Sequence, residues 1–260
     1  MSRRRNAARA AGAPPRRGRV AHALGSMLLG VLLAALALQG WWVARIAALR
    51  FIDPSSTTFQ RSELWRLLQT GDAHRWRQQW VPYERISPHL KRAVVAAEDA
   101  GFVDHFGVDW DAVTAAWQRN QRLRDRARGH GDGPVRPARV AGGSTITQQL
   151  AKNLFLSGER TLWRKGQELW LTWMLEALLN KRRILEIYLN SVEWGDGVFG
   201  AEAAAQHYFR KSAAQLSATE AARLAALLPA PKRYGRRLAA GTAPSHTRVI
   251  LERMGSVRLP

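Results

Sequence analysis

The chain contains no cysteine. That excludes disulfides and thiolate metal sites, and it is compatible with any compartment. Internal repeats are absent, and the two-residue alternation of half-buried strands is scarce, so the class is mainly α. Nothing around His105 has metal-ligand spacing such as His-Glu-x-x-His. Two stretches lack charge in a telling way. Residues 1–19 hold seven arginines and no acid, and residues 24–43 hold no charge at all. At 260 residues there is room for one good core and an appendage.

Net charge is +20, from 40 basic and 20 acidic residues. Residues 119–139 add seven arginines against Asp125 and Asp132, so this segment and the N-terminus supply twelve of the twenty charges. The charge-free stretch 24–43 is twenty residues long, and a helix of that length matches a hydrocarbon core of about 30 Å. Trp41 and Trp42 stand at its far end, where indoles favour the interface. A cleaved signal peptide is the alternative, but its apolar region runs to only about 7–15 residues and ends on small side chains. An uncleaved anchor is the reading adopted. The arginines before it place the N-terminus in the cytoplasm and the rest outside.

These features divide the chain into a disordered basic cytoplasmic tail (1–22), a transmembrane anchor (23–44), a stalk (45–80), a main domain (81–235) and a C-terminal tail (236–260). Helices are expected near 89–100, 109–123, 144–155, 161–180, 182–190, 201–209 and 218–228. Ser217 to Glu220 is a capping-box pattern. Residues 124–141, rich in glycine, proline and arginine, read as a flexible basic loop. The apolar run Leu169–Leu179 is about half the ~20 residues a span needs, and Glu176 interrupts it, so it reads as a buried core helix.

The chemistry concentrates in two runs. Glu98 and Asp99 end a small, apolar segment, followed by Phe102, His105 and Gly107. Burial there would raise a carboxylate's pKa towards that of a general base or acid. Some forty residues on comes Gly-Gly-Ser-Thr-Ile-Thr-Gln-Gln-Leu-Ala-Lys-Asn (142–153). On a helix, Thr145, Gln149 and Lys152 share one face, with Gly142, Gly143 and Ser144 at an N-terminus able to bind an anion. An ordinary capped amphipathic helix would look the same. Arg164 and Glu168, like Glu186 and Asn190, are four apart. For the first pair an intrahelical salt bridge is the plain reading, and for Glu186 a structural hydrogen bond or ion pair.

Both runs, with Arg164-Lys165-Gly166-Gln167-Glu168, Lys181 to Asn190 and Gly195 to Phe209, resemble the ordered motifs of the peptidoglycan glycosyltransferases (glycosyltransferase family 51) over roughly residues 80–234. The nearest likeness is to the monofunctional Gram-negative branch. The resemblance implies a lysozyme-like glycosyltransferase domain, mainly α, with one N-terminal transmembrane helix. It implies polymerisation of lipid II into β-1,4-linked glycan strands with inversion and release of undecaprenyl pyrophosphate, in cell-wall biogenesis. Glu98 would be the general base and Glu168 the second essential glutamate, organising the donor phosphates. Lys152, Arg160, Arg164 and Lys165 would face the pyrophosphate. Asp99, Phe102, His105, Thr145, Gln149 and Asn153 complete the substrate-binding set. No cofactor is obligatory by this resemblance. A divalent cation, magnesium or manganese, held by Glu168 through the pyrophosphate is the one metal it admits.

The implied partners are lipid II, the growing glycan, the membrane and proteins of cell-wall synthesis or division, with no nucleic acid. The rival enzyme is a membrane-anchored, lysozyme-like hydrolase, which would also use carboxylates. The basic residues argue instead for a phosphate-bearing donor. A nucleic-acid binder would share the charge, but the anchor places the domain where nucleic acid is absent. A non-catalytic scaffold would have no need of Glu98 and Glu168.

Overall fold

The computed structural model of the chain describes residues 16–129, 143–157, 159 and 161–260. The chain divides after Arg45 into two units. Among the described residues, the first is helix α1, which spans Arg16–Ala48 and ends inside the second unit. Over His22–Ala48 it is long and apolar enough to cross a membrane, with mean hydropathy 1.9 and none of its apolar window buried. A core helix would hide a face, whereas Met27, Leu28 and Val31 are all exposed. The helix fits a membrane anchor. Disorder was expected through residue 22, yet Arg16–His22 are helical. Extending an existing helix adds a hydrogen bond per residue with no new nucleus to form. Residues 1–15 fall outside the described ones.

The second unit runs through α2 (Thr58–Gln69), β1 (Arg77–Gln78), α3 (Pro88–Glu98), α4 (Trp110–Gly129), α5 (Ile146–Phe155), α6 (Leu162–Leu178) and α7 (Lys181–Ser191). Then come β2 (Glu193–Gly195), β3 (Val198–Phe199), α8 (Ala201–Phe209), α9 (Ala218–Ala225), α10 (Pro231–Ala239) and α11 (Thr247–Arg253). The class is mainly α, as expected.

Helix α7 is the centre. Ile184, Leu185, Ile187, Tyr188 and Leu189 are all fully buried, so the C-terminal half of the helix is enclosed by the rest of the unit. Its N-terminus is capped by Asn180, whose Oδ1 accepts from Arg183 N at 2.8 Å. Helix α5 packs on α7, α6 and α2, and α3 packs on α9 and α11. Helix α6 buries Leu171, Met174 and Leu175 and exposes Trp163, Trp170 and Trp173. It is a one-sided core helix and no second span. Ser217 caps α9 in the expected capping box with Glu220. Glu186 accepts from Tyr83 N at 2.9 Å and from Arg183 Nη1 at 2.7 Å, and Asn190 pairs with both backbone groups of Val81. Both are structural residues, as expected for Glu186.

Three features depart from the sequence reading. A small sheet, ordered β1-β3-β2, joins Arg77–Gln78 in parallel to Val198–Phe199, with β2 antiparallel to β3 across a bulge. Strands of two or three residues are too short to show alternation. Helix α4 runs to Gly129, so the first part of the expected 124–141 loop is helical; residues 130–141 fall outside the described ones. The expected C-terminal tail is folded. Helix α11 packs on α3 and α9, Ile250 and Met254 are buried, and the Tyr83 hydroxyl donates to Pro260 O at 3.4 Å.

Candidate active site

Helix α3 starts cleanly because Ser87 caps it and Pro88 occupies its first turn. It stops at Glu98, and the chain then turns so that two consecutive carboxylates point to different partners. Glu98 is half-buried and accepts a hydrogen bond from Gln149 Nε2 at 2.7 Å. Burial pushes its carboxyl above the ordinary range. The Gln149 hydrogen bond pulls it back, neighbouring Asp99 pushes it up again, and Lys152 pulls it down.

Gln149 is itself fixed. Its Oε1 accepts from the Tyr188 hydroxyl at 3.0 Å, which leaves the amide N–H aimed at Glu98. Tyr188 is completely buried, and burial next to the charges of Glu98 and Asp99 holds its phenol well above the usual value. It therefore stays a neutral donor. Tyr188 was not a sequence candidate. Its only signal was its place in the fourth motif, since a contact 39 residues away in the chain leaves no local pattern.

Asp99 is a fold residue with a reach into the site. One oxygen meets His105 Nε2 at 2.8 Å, and the other accepts from Ile146 N at 3.0 Å, in the first turn of α5. The anion expected at that helix N-terminus is thus the protein's own carboxylate. His105 Nδ1 is buried without a hydrogen-bond partner among the described residues. The cap of α5 is Thr145 rather than Ser144. Its Oγ accepts from Gln148 N at 3.2 Å and donates to Gly107 O at 2.6 Å. Gly107 has φ +78°, and a Cβ there would lie 2.6 Å from Thr172 Cγ2. Only glycine lets this turn press against α6.

Several residues of the expected substrate-binding set also have packing roles. Thr145 is buried with its hydroxyl committed, Phe102 is wholly in the core beneath the Lys181 ammonium, and Asn153 is buried on α5. The back of α5 is locked to α6, with Thr147 Oγ and Lys181 Nζ donating to Glu176 Oε1 at 2.6 and 2.8 Å. The charge that interrupts the apolar run of α6 is a paired buried carboxylate.

On one side of Glu98 lies a cavity of about 300 Å³, lined by Glu98, Asp99, Asp109, Arg119, Ser144 and Arg253 among others. Arg253 comes from α11, in the segment read as a tail, and no sequence signal pointed to it. Beyond Gln149 is a cationic cluster. Arg164 Nη1 donates to Glu168 Oε2 at 2.8 Å, and Lys165 pairs with Glu168 Oε1. Glu168 is buried, and Arg164 Nε is buried with no partner among the described residues. Lys152 is pushed below the ordinary lysine range. Desolvation of its ammonium is the largest cause, although much of the side chain is open to solvent; the charges of Arg164 and Lys165 add to it, against Glu168 and Glu98. A lysine whose charge is disfavoured by desolvation and by cationic neighbours gains from an arriving anion. Arg160 falls outside the described residues.

Both oxygens of Glu168 are already taken by cationic side chains. A divalent ion needs several free oxygen ligands, and the donor set around Glu168 does not fit one. Among the described residues the one carboxylate group spaced for a metal is Glu63, Glu193 and Asp196, away from this cleft and already bridged by Lys232.

The chain is similar to known proteins. A family model described as Transglycosylase matches residues 66–255. The biosynthetic peptidoglycan transglycosylase of Ralstonia nicotianae is 53% identical over 248 residues, covering 92% of this chain and 97% of the relative. That of Bordetella pertussis is 49% identical over 235 residues, covering 90% and 93%. That of Cupriavidus metallidurans is 50% identical over 249 residues, covering 93% and 98%. Likeness of this extent, over the whole helical domain and the apolar helix before it, means that the chain belongs to the transglycosylase family, whose domain is lysozyme-like.

Proposed function

We propose that this peptidoglycan transglycosylase polymerises lipid II by inverting transfer, with Glu98 as general base. The observation that carries the reading is that Glu98 lines an open cavity and feels the charge of Lys152, which in turn feels Arg164 and Lys165. The acceptor N-acetylglucosamine occupies the cavity. Glu98 takes the proton of its 4-hydroxyl, and that oxygen attacks the anomeric carbon of the elongating strand, turning an α linkage into β-1,4. Undecaprenyl pyrophosphate leaves. A carboxylate raised by burial is a better proton acceptor than an ordinary one.

The leaving pyrophosphate needs little protonation and much charge compensation. Lys152, Arg164 and Lys165 supply that, and the unpartnered Arg164 Nε is a donor in want of an oxygen. Glu168 acts as a positioning residue that spaces Arg164 and Lys165. No step is routed through a divalent ion. A hydrolase would have no use for this cationic cluster.

The arginine-rich N-terminus supports a cytoplasmic N-terminus and a catalytic unit outside. A reporter fused after Pro260 should be active only if it works outside the cytoplasm. The function itself is tested with purified full-length protein and labelled lipid II in detergent. The product should be a ladder of glycan polymer that a muramidase digests. Glu98→Gln keeps size and hydrogen bonding but cannot take a proton. It should lower the rate by about 10²–10⁴ while still binding a phosphoglycolipid inhibitor of the moenomycin type. Near-normal polymerisation by this variant would remove Glu98 as the base.

A further inference from the structure

A second basin lies along the edge of the small sheet. Its volume is about 640 Å³, against about 300 Å³ for the cavity beside Glu98, and the two share no lining residue. Strand β1 is an edge strand of the sheet, and the basin is formed between the chain around it and α8. Its polar and aromatic lining is Trp76, Arg77, Gln78, Gln79, Gln206, His207 and Arg210, and no acidic side chain lines it. Nearby Arg66 and Arg75 are paired with Asp196. Arg77 and Arg210 form no ion pair among the described residues. The imidazole of His207 is pushed down by burial and by the charge of Arg77. The basin is therefore positive, and the carboxylates next to it are already engaged, Glu202 by Gln206 Nε2 and Ala213 N and Asp196 by Arg66 and Arg75.

Arg210 carries a second sign. It is the left-handed residue that ends α8, with φ 55° and ψ 36°, and among the described residues it is the one non-glycine with positive φ. Glycine takes this place without strain. Arg210 takes it at a conformational cost. Trp76 rests on Phe199, with ring centroids 5.0 Å apart, and so presents a supported indole. Indole faces take sugar rings, glutamine amides pair with acetamido and hydroxyl groups, and guanidiniums grip carboxylates bidentately.

We propose that this basin is a second binding site, separate from the cleft, for an acidic N-acetylated glycan. The enzyme's own peptidoglycan strand is the occupant that uses every part of the donor set, a choice that rests on the glycosyltransferase reading above. A bare phosphate or lipid headgroup would engage the guanidiniums and leave Trp76 and the glutamines idle.

The test uses the full chain in detergent, with its cleft blocked by saturating phosphoglycolipid inhibitor. The probes are labelled, soluble, uncross-linked peptidoglycan strands, a neutral N-acetylchito-oligosaccharide of equal length, and polyphosphate. Blocked wild type should bind the strands, with the chito-oligosaccharide competing weakly. The double variant Arg77→Gln/Arg210→Gly should bind them at least about tenfold more weakly, the loss of two charge-assisted contacts. Arg210→Gly alone should melt no lower than wild type, since glycine relieves the left-handed cap, so its loss of binding cannot be unfolding. Initial polymerisation of lipid II should be unchanged in both variants. Absence of strand binding to the blocked wild type, or equal binding by the double variant, overturns the proposal. So does full displacement by polyphosphate at equal charge with no competition from the chito-oligosaccharide, which would leave a general anion patch. Failure of the glycosyltransferase reading would appear separately, as absence of polymer from lipid II.

Discussion

Tyr188→Phe is the most discriminating single change. It removes one oxygen from the core and leaves the ring in place. The lost hydroxyl is the donor that fixes the Gln149 amide, 3.0 Å from Oε1, while the opposite end of that amide holds Glu98 at 2.7 Å. Without it the amide is free to rotate and to present its oxygen to Glu98, an arrangement tolerable only when Glu98 is protonated. The Glu98 hydrogen bond is then kept in only part of the population. A hydrogen bond of this kind is worth about 0.5–1.5 kcal/mol net, and one pKa unit corresponds to about 1.36 kcal/mol. The carboxyl of Glu98, already raised by burial, should rise further by roughly 0.5–1 unit. A base works only when deprotonated, so activity grows as pH rises through its pKa, and the acidic limb of the rate profile should move to higher pH by that amount. The assay is the initial rate of lipid II polymerisation from pH 5 to 9 at saturating substrate, with melting temperature measured alongside. The refuting result is a lowered melting temperature with the acidic limb unmoved, which would make Tyr188 a packing residue and nothing more.

Glu168→Gln should abolish turnover and, unlike Glu98→Gln, should also change the affinity of a donor-site phosphoglycolipid, because Arg164 and Lys165 lose the carboxylate that spaces them; unchanged inhibitor titrations would refute this. Glu193 is buried and its carboxyl is pushed up to about 7, chiefly by desolvation, with Lys232 opposing and Glu63 and Asp196 adding to it. The folded state therefore favours the protonated form, and its stabilising contribution, present below about pH 4.5, is lost as pH rises through about 7. Glu193→Gln should accordingly gain stability over wild type on going from pH 5 to pH 8, by at most about 3 kcal/mol; melts at the two pH values with equal differences would contradict it. Replacing Arg124, Arg126, Arg128 and Arg136 by glutamine should weaken use of anionic lipid II and flatten its salt dependence, and identical kinetics at low and high salt would make that segment a solvated insertion.

What the chain disclosed in advance was whatever follows the period of a helix. The spacing of Gln149 and Lys152, the pairing of Arg164 with Glu168 and the charge-free stretch 24–43 are local patterns, and each has a local structural meaning. The apolar run around Leu175 was legible because length and Glu176 together rule out a span. The division of labour inside the first two motifs was not legible. Phe102, Thr145 and Asn153 stand in the same runs as Glu98 and Gln149, and only packing shows that they are buried while Glu98 lines a cavity. Tyr188 and Arg253 enter the site through contacts across the chain, with no periodicity to announce them. Helix α11 was hidden by its basic composition, since two buried residues, Ile250 and Met254, are too few to make a pattern.

The carboxylate of Asp99 at the start of α5 has a bearing on inhibitor chemistry. An acidic compound directed at that end of the helix would find its first-turn amide already answered, 3.0 Å from Asp99 Oδ2, and a second negative charge would meet repulsion from it. Towards the other end of the same helix, Lys152 stands six residues beyond Ile146 and within electrostatic reach of Arg164 and Lys165. Acidic scaffolds should therefore gain affinity when extended towards the lysine end of α5. Neutral or basic groups belong at its threonine end, where Glu98, Asp99 and Asp109 line the cavity.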